Sequence, residues 1–366
     1  MEYDPMAELG LVAEKQFVCS NHGFVTRTNG TRDLCARFIR NGDRVYDAFS
    51  RYDTVTSYAL SREGGNPGGV TKLLVPFLKA WGILDNSAYE YSRDVTELMP
   101  GADHALRYIL SQMPAYMTTG SYEHHIMNVS DMTEFPLNNI SFNLIAFDKL
   151  EISRQDAKIL KNITTEISNL RVSDEAYTVT ENKYLNKDDS KLVDYFDDMI
   201  EKELSKMEIY ETVKKMTMIG ANEKAYAVLE LCRKNDIEMS DTVMVGSDNS
   251  DYQAMDLVRD SGGLALAFNG AEYAIRGANV AVLSKKPIVA TVLVTEFYNG
   301  GIESVYNLIN NWTKEGLQTV SCADRNLMNR MLEEFPKKLP EVYIVEEDNI
   351  NDIVTTSAEY RKHIFH

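Results

Sequence analysis

The stretch with the clearest capacity for chemistry is the polar cluster Ser247 to Asp251. It follows a short apolar run, Thr242 to Val245, which predicts a buried strand that ends at Gly246. Apolar residues at helical spacing come next, so the cluster lies between a predicted strand and a predicted helix. Ligands of open α/β sheets bind beyond the carboxyl ends of strands, and we therefore predict a ligand site here. The alternative is a tight turn whose aspartate caps the helix and does no chemistry.

Two earlier loops also place polar residues after predicted strands. The loop from Ser20 to Gly23 offers a serine and His22, but this pair alone is weak evidence for nucleophilic catalysis. A base must reach the nucleophile and be oriented by a third group, so an ordinary turn is the alternative. Thr119 ends the predicted strand that starts at Ala115, and its hydroxyl, with the backbone amides from Gly120 onward, suits a phosphate group.

A lysine at the start of a helix is the fourth candidate. Lys224 falls in the first turn of a helix predicted to begin near Ile219. The helix dipole slightly disfavours a cation at this end, which makes Lys224 a functional candidate. A solvent-exposed lysine is the alternative.

Two other motifs invite a functional interpretation that we do not favour. Four glycines within Arg62 to Gly69 could bring backbone amides close to an anion, but the Walker lysine is absent and we expect a flexible loop. His124 and His125 suggest a metal site. Adjacent side chains on a helix diverge by about 100°, so we do not expect both to bind one ion.

Composition narrows the class of protein. The 366 residues carry a formal net charge of −17, which disfavours nucleic acid as a partner, and they suggest two or three lobes. No stretch reaches the roughly 18 uncharged apolar residues of a membrane span. The segment Met1 to Pro5 lacks the features of a signal peptide. The four cysteines show neither Cys-x-x-Cys pairs nor metal-ligand spacing, and we predict a cytoplasmic location.

The order of predicted elements indicates an α/β fold built on a parallel sheet. Residues 29–97 predict a mostly helical lobe, and 140–211 a second inserted lobe or lid. Residues 301–366 predict a largely helical C-terminal extension that packs on the core or on a partner. The sheet core is left with three segments, residues 12–28, 98–139 and 212–300.

Taken in chain order, these strand ends resemble those of the haloacid dehalogenase-like (HAD) superfamily of aspartate-nucleophile phosphohydrolases. The most specific part is Val243 to Leu283, which is similar to the fourth motif and following strands of phosphoserine-phosphatase-like members. Pro67 to Gly82 resembles an archaeal branch whose members are often labelled an accessory subunit of a methanogen energy-converting hydrogenase. The resemblance covers roughly residues 12–300 and implies a Rossmannoid core with inserted cap lobes.

The resemblance also assigns roles and shows where this chain departs from the family. Ser20 stands where the family has its aspartate nucleophile, and His22 stands at the acidic general acid/base. Ser247 replaces the first Mg²⁺-binding aspartate of the fourth motif. Lys224 is the best match to the third-motif lysine, so the resemblance makes it a catalytic position together with Ser20 and His22. The phosphate-holding positions are retained, and we assign phosphate or ligand binding to Thr119, Gly120, Lys224 and Asn249.

The lost acids weaken the expected metal site. Mg²⁺ is held by one or two carboxylates plus phosphate oxygens, so we expect weak or absent binding. Asp251 is the retained family acid, and Asp248 could replace the missing one through a one-residue shift.

These observations favour a degenerate phosphohydrolase site. We expect a non-catalytic accessory subunit that binds a phosphorylated ligand or a protein, as a homo-oligomer or part of a larger complex. The alternative is a divergent phosphatase of a small phosphorylated metabolite that uses His22, Asp248 and Asp251, with Ser20 as a covalent site. A purely structural subunit is a third hypothesis.

Overall fold

Seven strands form one sheet in the computed structural model, which describes residues 13–69, 71–173 and 185–365. The predictions for Met1 to Pro5, for residue 12 and for 174–184 within the second lobe lie outside the described residues. The strands are β1 (Gln16–Cys19), β2 (Ala115–Tyr122), β3 (Ile140–Asn143), β4 (Thr242–Gly246), β5 (Leu264–Phe268), β6 (Val280–Leu283) and β7 (Glu341–Ile344).

The sheet has the order β3-β2-β1-β4-β5-β6-β7. The first six strands pair in parallel, and β7 joins the edge antiparallel to β6. Every residue of β4, β5 and β6 is buried, since helices cover both faces of the sheet. The predicted α/β class with a mostly parallel sheet is therefore confirmed.

Sixteen α-helices accompany the sheet in the described part of the chain. They are α1 (Gly30–Phe38), α2 (Gly42–Thr54), α3 (Thr71–Ala80), α4 (Asp85–Val95), α5 (Ala102–Gln112), α6 (Glu123–Thr133), α7 (Arg154–Ile167), α8 (Lys187–Lys202), α9 (Glu208–Val213), α10 (Ala221–Asn235), α11 (Tyr252–Asp260), α12 (Glu272–Gly277), α13 (Ile288–Asn310), α14 (Lys314–Val320), α15 (Arg325–Glu334) and α16 (Ile350–Ile364). Among these helices, none combines the length and hydrophobicity needed to cross a bilayer.

Two predicted elements differ from the structure. The helical stretch predicted from Thr31 to Tyr58 is divided, because Asn41 takes a left-handed φ of 54° between α1 and α2, and a π-helical segment, Val55–Ala59, follows α2. Thr119 does not end its strand, since β2 continues to Tyr122. However, the pairing with β3 shifts register between Thr118 and Tyr122, so Thr119 lies just beyond the regular ladder.

The two predicted inserted lobes share one hydrophobic core. Phe49 and Phe77 from the first stretch pack with Leu160 and Phe196 from the second. A buried ion pair also joins them, in which both Asp189 carboxylate oxygens accept hydrogen bonds from Arg51 at 2.9 Å. The helices therefore form one lobe over the carboxyl edge of the sheet, because neither set buries its apolar face alone.

The C-terminal extension packs on the core. Its strand β7 completes the sheet edge, and α16 buries Ile353, Val354 and Ile364. The Ser357 hydroxyl donates to the Gly270 carbonyl at 2.6 Å, which holds α16 beside the loop after β5. This arrangement carries the last turn of the chain to the carboxyl edge of the central strands.

A glycine after β1 allows two loops at the carboxyl edge to meet. Gly23 has a φ of +92°, and a Cβ atom there would lie 2.0 Å from Ser247 Oγ. Gly82 has a similar φ of +87°, but a Cβ atom there would meet nothing within 4 Å. A side chain at position 82 would therefore meet backbone strain alone, whereas a side chain at position 23 would meet both strain and steric collision.

We predict that Gly23→Ala lowers the free energy of unfolding by about 3 kcal/mol, because strain and overpacking add. Gly82→Ala should cost only about 1 kcal/mol, from backbone strain. Urea unfolding of both variants measures the difference. Equal losses would show that the two loops do not pack as described.

Candidate functional site

The strand order reverses between β1 and β4. The chain runs outward from β1 to β3 on one side, and from β4 to β6 on the other. Cys19 at the end of β1 lies in register with Val245 of β4, so the loops that follow both strands leave from one point. A crevice at such a switch point is where open α/β sheets bind ligands.

A small cavity of about 70 Å³ lies at this point. Six of the residues predicted from the sequence line it: Ser20, His22, Thr119, Gly120, Lys224 and Asp248. Of the other two, Asn249 lines a larger neighbouring chamber, and Asp251 is fully buried. The structure thus brings together residues that lie up to 228 positions apart in the sequence.

The cavity wall contains buried polar atoms that the described residues leave without a partner. Ser20 is 3% exposed and Asn21 is 0% exposed. The Ser20 hydroxyl and both polar atoms of the Asn21 amide find no hydrogen-bond partner within the described part of the chain. Buried polar groups are nearly always satisfied, so these atoms suit a bound ligand or water. The sequence gives no distinct signal for Asn21 beyond its place between Ser20 and His22.

Lys224 is buried, so the solvent-exposed alternative is wrong. Its ammonium donates to Asp251 Oδ1 at 2.7 Å and to Ser250 Oγ at 2.8 Å. The other oxygen of Asp251 accepts the backbone amides of Ser247 and Asp248 at 2.8 and 2.9 Å. An ammonium has three donors, which leaves one N–H of Lys224 for a ligand in the cavity.

His22 and Asp248 form a pair across the two loops. His22 Nδ1 lies 2.9 Å from Asp248 Oδ2. Burial would raise the pKa of the Asp248 carboxyl, but the charge and hydrogen bond of His22, with the charges of Arg361 and Lys224, outweigh it and lower the pKa. The Ser20 hydroxyl accepts no hydrogen bond from His22 and donates none to it, so His22 does not hold it as a base would hold a nucleophile.

Besides Asn21, two residues of the site were missed in the sequence: Arg361, in the last turn of α16, and Phe365, which follows that helix. Arg361 donates from Nη2 to Asp248 Oδ1 at 3.2 Å. Phe365 places its ring centroid 4.7 Å from that of His22. Both line the larger chamber. No local pattern marks them, because their role arises only when α16 docks beside β5.

The larger chamber has a volume of about 470 Å³ and lies between the sheet and the helical lobe. It shares His22, Tyr46, Gly68 and Asp248 with the small cavity. The glycine-rich loop thus reaches the site, but the Gly68 amide already donates to the Asp53 carboxylate. The larger chamber therefore has room for a small organic group directly beside the small cavity.

The residues present do not suit Mg²⁺. The Asp251 carboxylate is taken by Lys224 and two backbone amides, and the Asp248 carboxylate by His22 and Arg361. Across the described ranges, no three His, Cys, Asp or Glu side chains are grouped so that they could hold a metal ion. The two adjacent histidines also diverge, His124 toward Asp85 and His125 toward Thr96.

Comparison with known proteins supports the fold. The chain is similar to a solved structure described as gene product AF1437 from Archaeoglobus fulgidus, with a TM-score of 0.74 and 21% sequence identity over 96% of each chain. No family model matches the chain, and no curated protein matches it. At this identity, the similarity shows that the two proteins share a fold.

The buried His125 makes stability depend on pH. Burial, with a smaller contribution from the charge of His22, lowers the pKa of His125 to about 4. Its Nδ1 atom lies 3.1 Å from Thr96 Oγ1, while Nε2 is buried without a partner in the described residues. The unfolded chain therefore binds this proton more readily than the folded chain, and stability falls as the pH drops from about 6.5 toward 4.

We predict that the parent chain loses unfolding free energy when the pH falls from 7 to 5, and that this loss is about 2 kcal/mol smaller in His125→Gln. His104 is the matched control, because its side chain is 56% exposed. Urea unfolding at both pH values measures the effect. If His125→Gln and His104→Gln show the same pH dependence as the parent chain, His125 is not the buried neutral group described.

Proposed function

We propose that the chain binds a small phosphorylated molecule, with its phosphate group in the small cavity. The observation that carries the proposal is the unpartnered set of polar atoms on Ser20 and Asn21 beside the Lys224 ammonium. A cavity of about 70 Å³ admits several waters or one tetrahedral oxyanion. Hydroxyl, amide and ammonium donors are the groups that such an oxyanion requires.

Local charge permits an anion despite the acidity of the whole chain. The positive charges of Lys224 and Arg361 balance the negative charges of Asp248 and Asp251, so these four charges sum to zero. The formal net charge of the chain is −17. The cluster therefore spares a phosphate group the repulsion that it would meet over most of the surface.

The larger chamber would hold the organic part of the ligand. Asp33 lines it, and Oδ2 of its carboxylate is buried without a hydrogen-bond partner in the described residues. Burial raises the pKa of Asp33, and the charges of Arg32 and His22 offset this only in part. A hydroxyl or ammonium group on the ligand would supply the missing donor. We infer a polar phosphomonoester that carries such a group.

We further propose that the chain is a HAD-like protein that binds this ligand without hydrolysing it, as an accessory subunit. The strand order and the residues gathered at the switch point support the assignment. In this assignment Ser20 takes the nucleophile position, and no base among the described residues bonds its hydroxyl. Loss of a catalytic nucleophile or base lowers turnover by about 10⁴- to 10⁶-fold in well-studied hydrolases.

A divergent phosphatase is the second candidate, and the His22–Asp248 pair favours it. Asp248 could orient His22 as a base for water or for Ser20. This candidate requires turnover of an aryl phosphate that His22→Ala abolishes. Our proposal predicts no turnover above buffer by the parent chain, measured by release of the coloured phenol.

We predict that Ser20→Ala weakens the binding of inorganic phosphate by roughly 10- to 100-fold, because one hydrogen bond to a charged ligand is lost. Without ligand, the free energy of unfolding should rise by about 1–3 kcal/mol, since the hydroxyl is buried with no partner among the described residues. Thr118→Val is the matched control, because the Thr118 hydroxyl is also buried and unpartnered but does not line the cavity. Isothermal titration calorimetry measures both affinities.

Equal phosphate affinities in the two variants and the parent would place the anion elsewhere. No measurable binding by the parent chain would overturn the proposed ligand class.

A further inference from the structure

The guanidinium of Arg361 occupies a notch lined by four oxygen atoms. Its Nη1 atom donates to the Ser247 carbonyl at 3.0 Å, to Ser247 Oγ at 3.1 Å and to the Asn269 carbonyl at 2.5 Å. Its Nη2 atom donates to Asp248 Oδ1 at 3.2 Å. Two carbonyls, a hydroxyl and a carboxylate thus converge on one cation.

The backbone is shaped to present these oxygens. Ser247 and Asn269 follow the neighbouring strands β4 and β5, so their carbonyls lie side by side at the carboxyl edge. Asn269 has a left-handed φ of 50°, and its side chain bonds the Ser284 amide and carbonyl at 2.9 and 2.8 Å. Asparagine tolerates this conformation, which turns the carbonyl out of the strand direction.

These oxygens are the kind of ligands that hard cations take. Backbone carbonyls, hydroxyls and a carboxylate bind Ca²⁺ or Mg²⁺ in many proteins. Without Arg361, the notch would hold converging carbonyl dipoles and a carboxylate, 32% exposed, whose remaining partner in the notch is His22. The carbonyl and hydroxyl oxygens would then have lost their common donor, so a cation that replaces the guanidinium is favoured there.

We propose that Arg361 is a built-in cation that fills a cation site and keeps divalent metal ions out of it. The C-terminal extension thereby supplies a charge that a metal ion would otherwise supply. Arg361 also fixes Asp248, which in turn holds His22 at 2.9 Å. It is a positioning residue for the cleft, and the site needs α16 to be docked.

Contacts around the guanidinium support this role. Phe365 lies under it, with the guanidinium carbon 4.8 Å from the ring centroid. The same ring contacts His22. A cation over an aromatic face is stabilised by the ring quadrupole, which adds to the hydrogen bonds. The arrangement therefore holds the charge in place and does not leave it to a mobile surface side chain.

The test compares Arg361→Gln with the parent chain and with Arg361→Lys in phosphate-free buffer. Thermal unfolding is followed with and without millimolar Mg²⁺, and in separate samples with Ca²⁺. We expect a divalent ion to raise the Tm of Arg361→Gln by roughly 2 °C, because the ion binds only the folded state. The parent and Arg361→Lys, which keeps the positive charge, should not share this rise.

The outcomes separate this proposal from the ligand proposal, because no phosphate is present. If Mg²⁺ and Ca²⁺ change the Tm of all three chains equally, the proposal that Arg361 is a built-in cation is wrong. If Arg361→Gln fails to fold without divalent ions, rescue by Mg²⁺ or Ca²⁺ during refolding supports the proposal. Failure to fold in every buffer would contradict it, since Arg361 would then be needed for packing and not for its charge.

Discussion

The Asp251 carboxylate is the group on which the rest of the site depends. One oxygen accepts the Lys224 ammonium, and the other accepts two consecutive backbone amides. These contacts tie the start of α10 to the loop after β4, and they are wholly buried on the aspartate side. Removal of one partner from a buried pair typically costs about 3–5 kcal/mol. The pair thus fixes both the cation and the loop that face the cavity.

The remaining groups follow from this fixed frame. The loop held by Asp251 presents Asp248 outward, where His22 and Arg361 neutralise it from two other segments of the chain. The Ser20 and Asn21 side chains are left facing the cavity without protein partners. An unsatisfied buried polar group costs about 1–3 kcal/mol, so the folded chain carries a cost that a suitable ligand or ordered water would relieve. This cost is the physical basis for a binding site.

Much of the site could be predicted from the sequence, because the carboxyl ends of parallel strands meet at one edge. That rule indicated Ser20 and the cluster Ser247 to Asp251, and also Thr119, although β2 continues three residues beyond it. The choice of Asp248 within the cluster came from the resemblance. Arg361 could not be predicted, since it lies 113 positions from Asp248 and reaches it only through the docking of α16 on the sheet. Local patterns also failed at Asn41, where a left-handed residue divides a continuous helical periodicity. Tertiary packing, which the sequence does not display locally, decides such cases.

The central claim is that protein donors alone hold a phosphate group in the small cavity. The most direct measurement is a crystal structure of the chain grown with inorganic phosphate and a metal chelator. The account predicts tetrahedral density within hydrogen-bond distance of Ser20 Oγ and Lys224 Nζ, with no metal ion beside it. A cavity that contains only ordered water, or phosphate that appears only together with a divalent ion, would contradict the account.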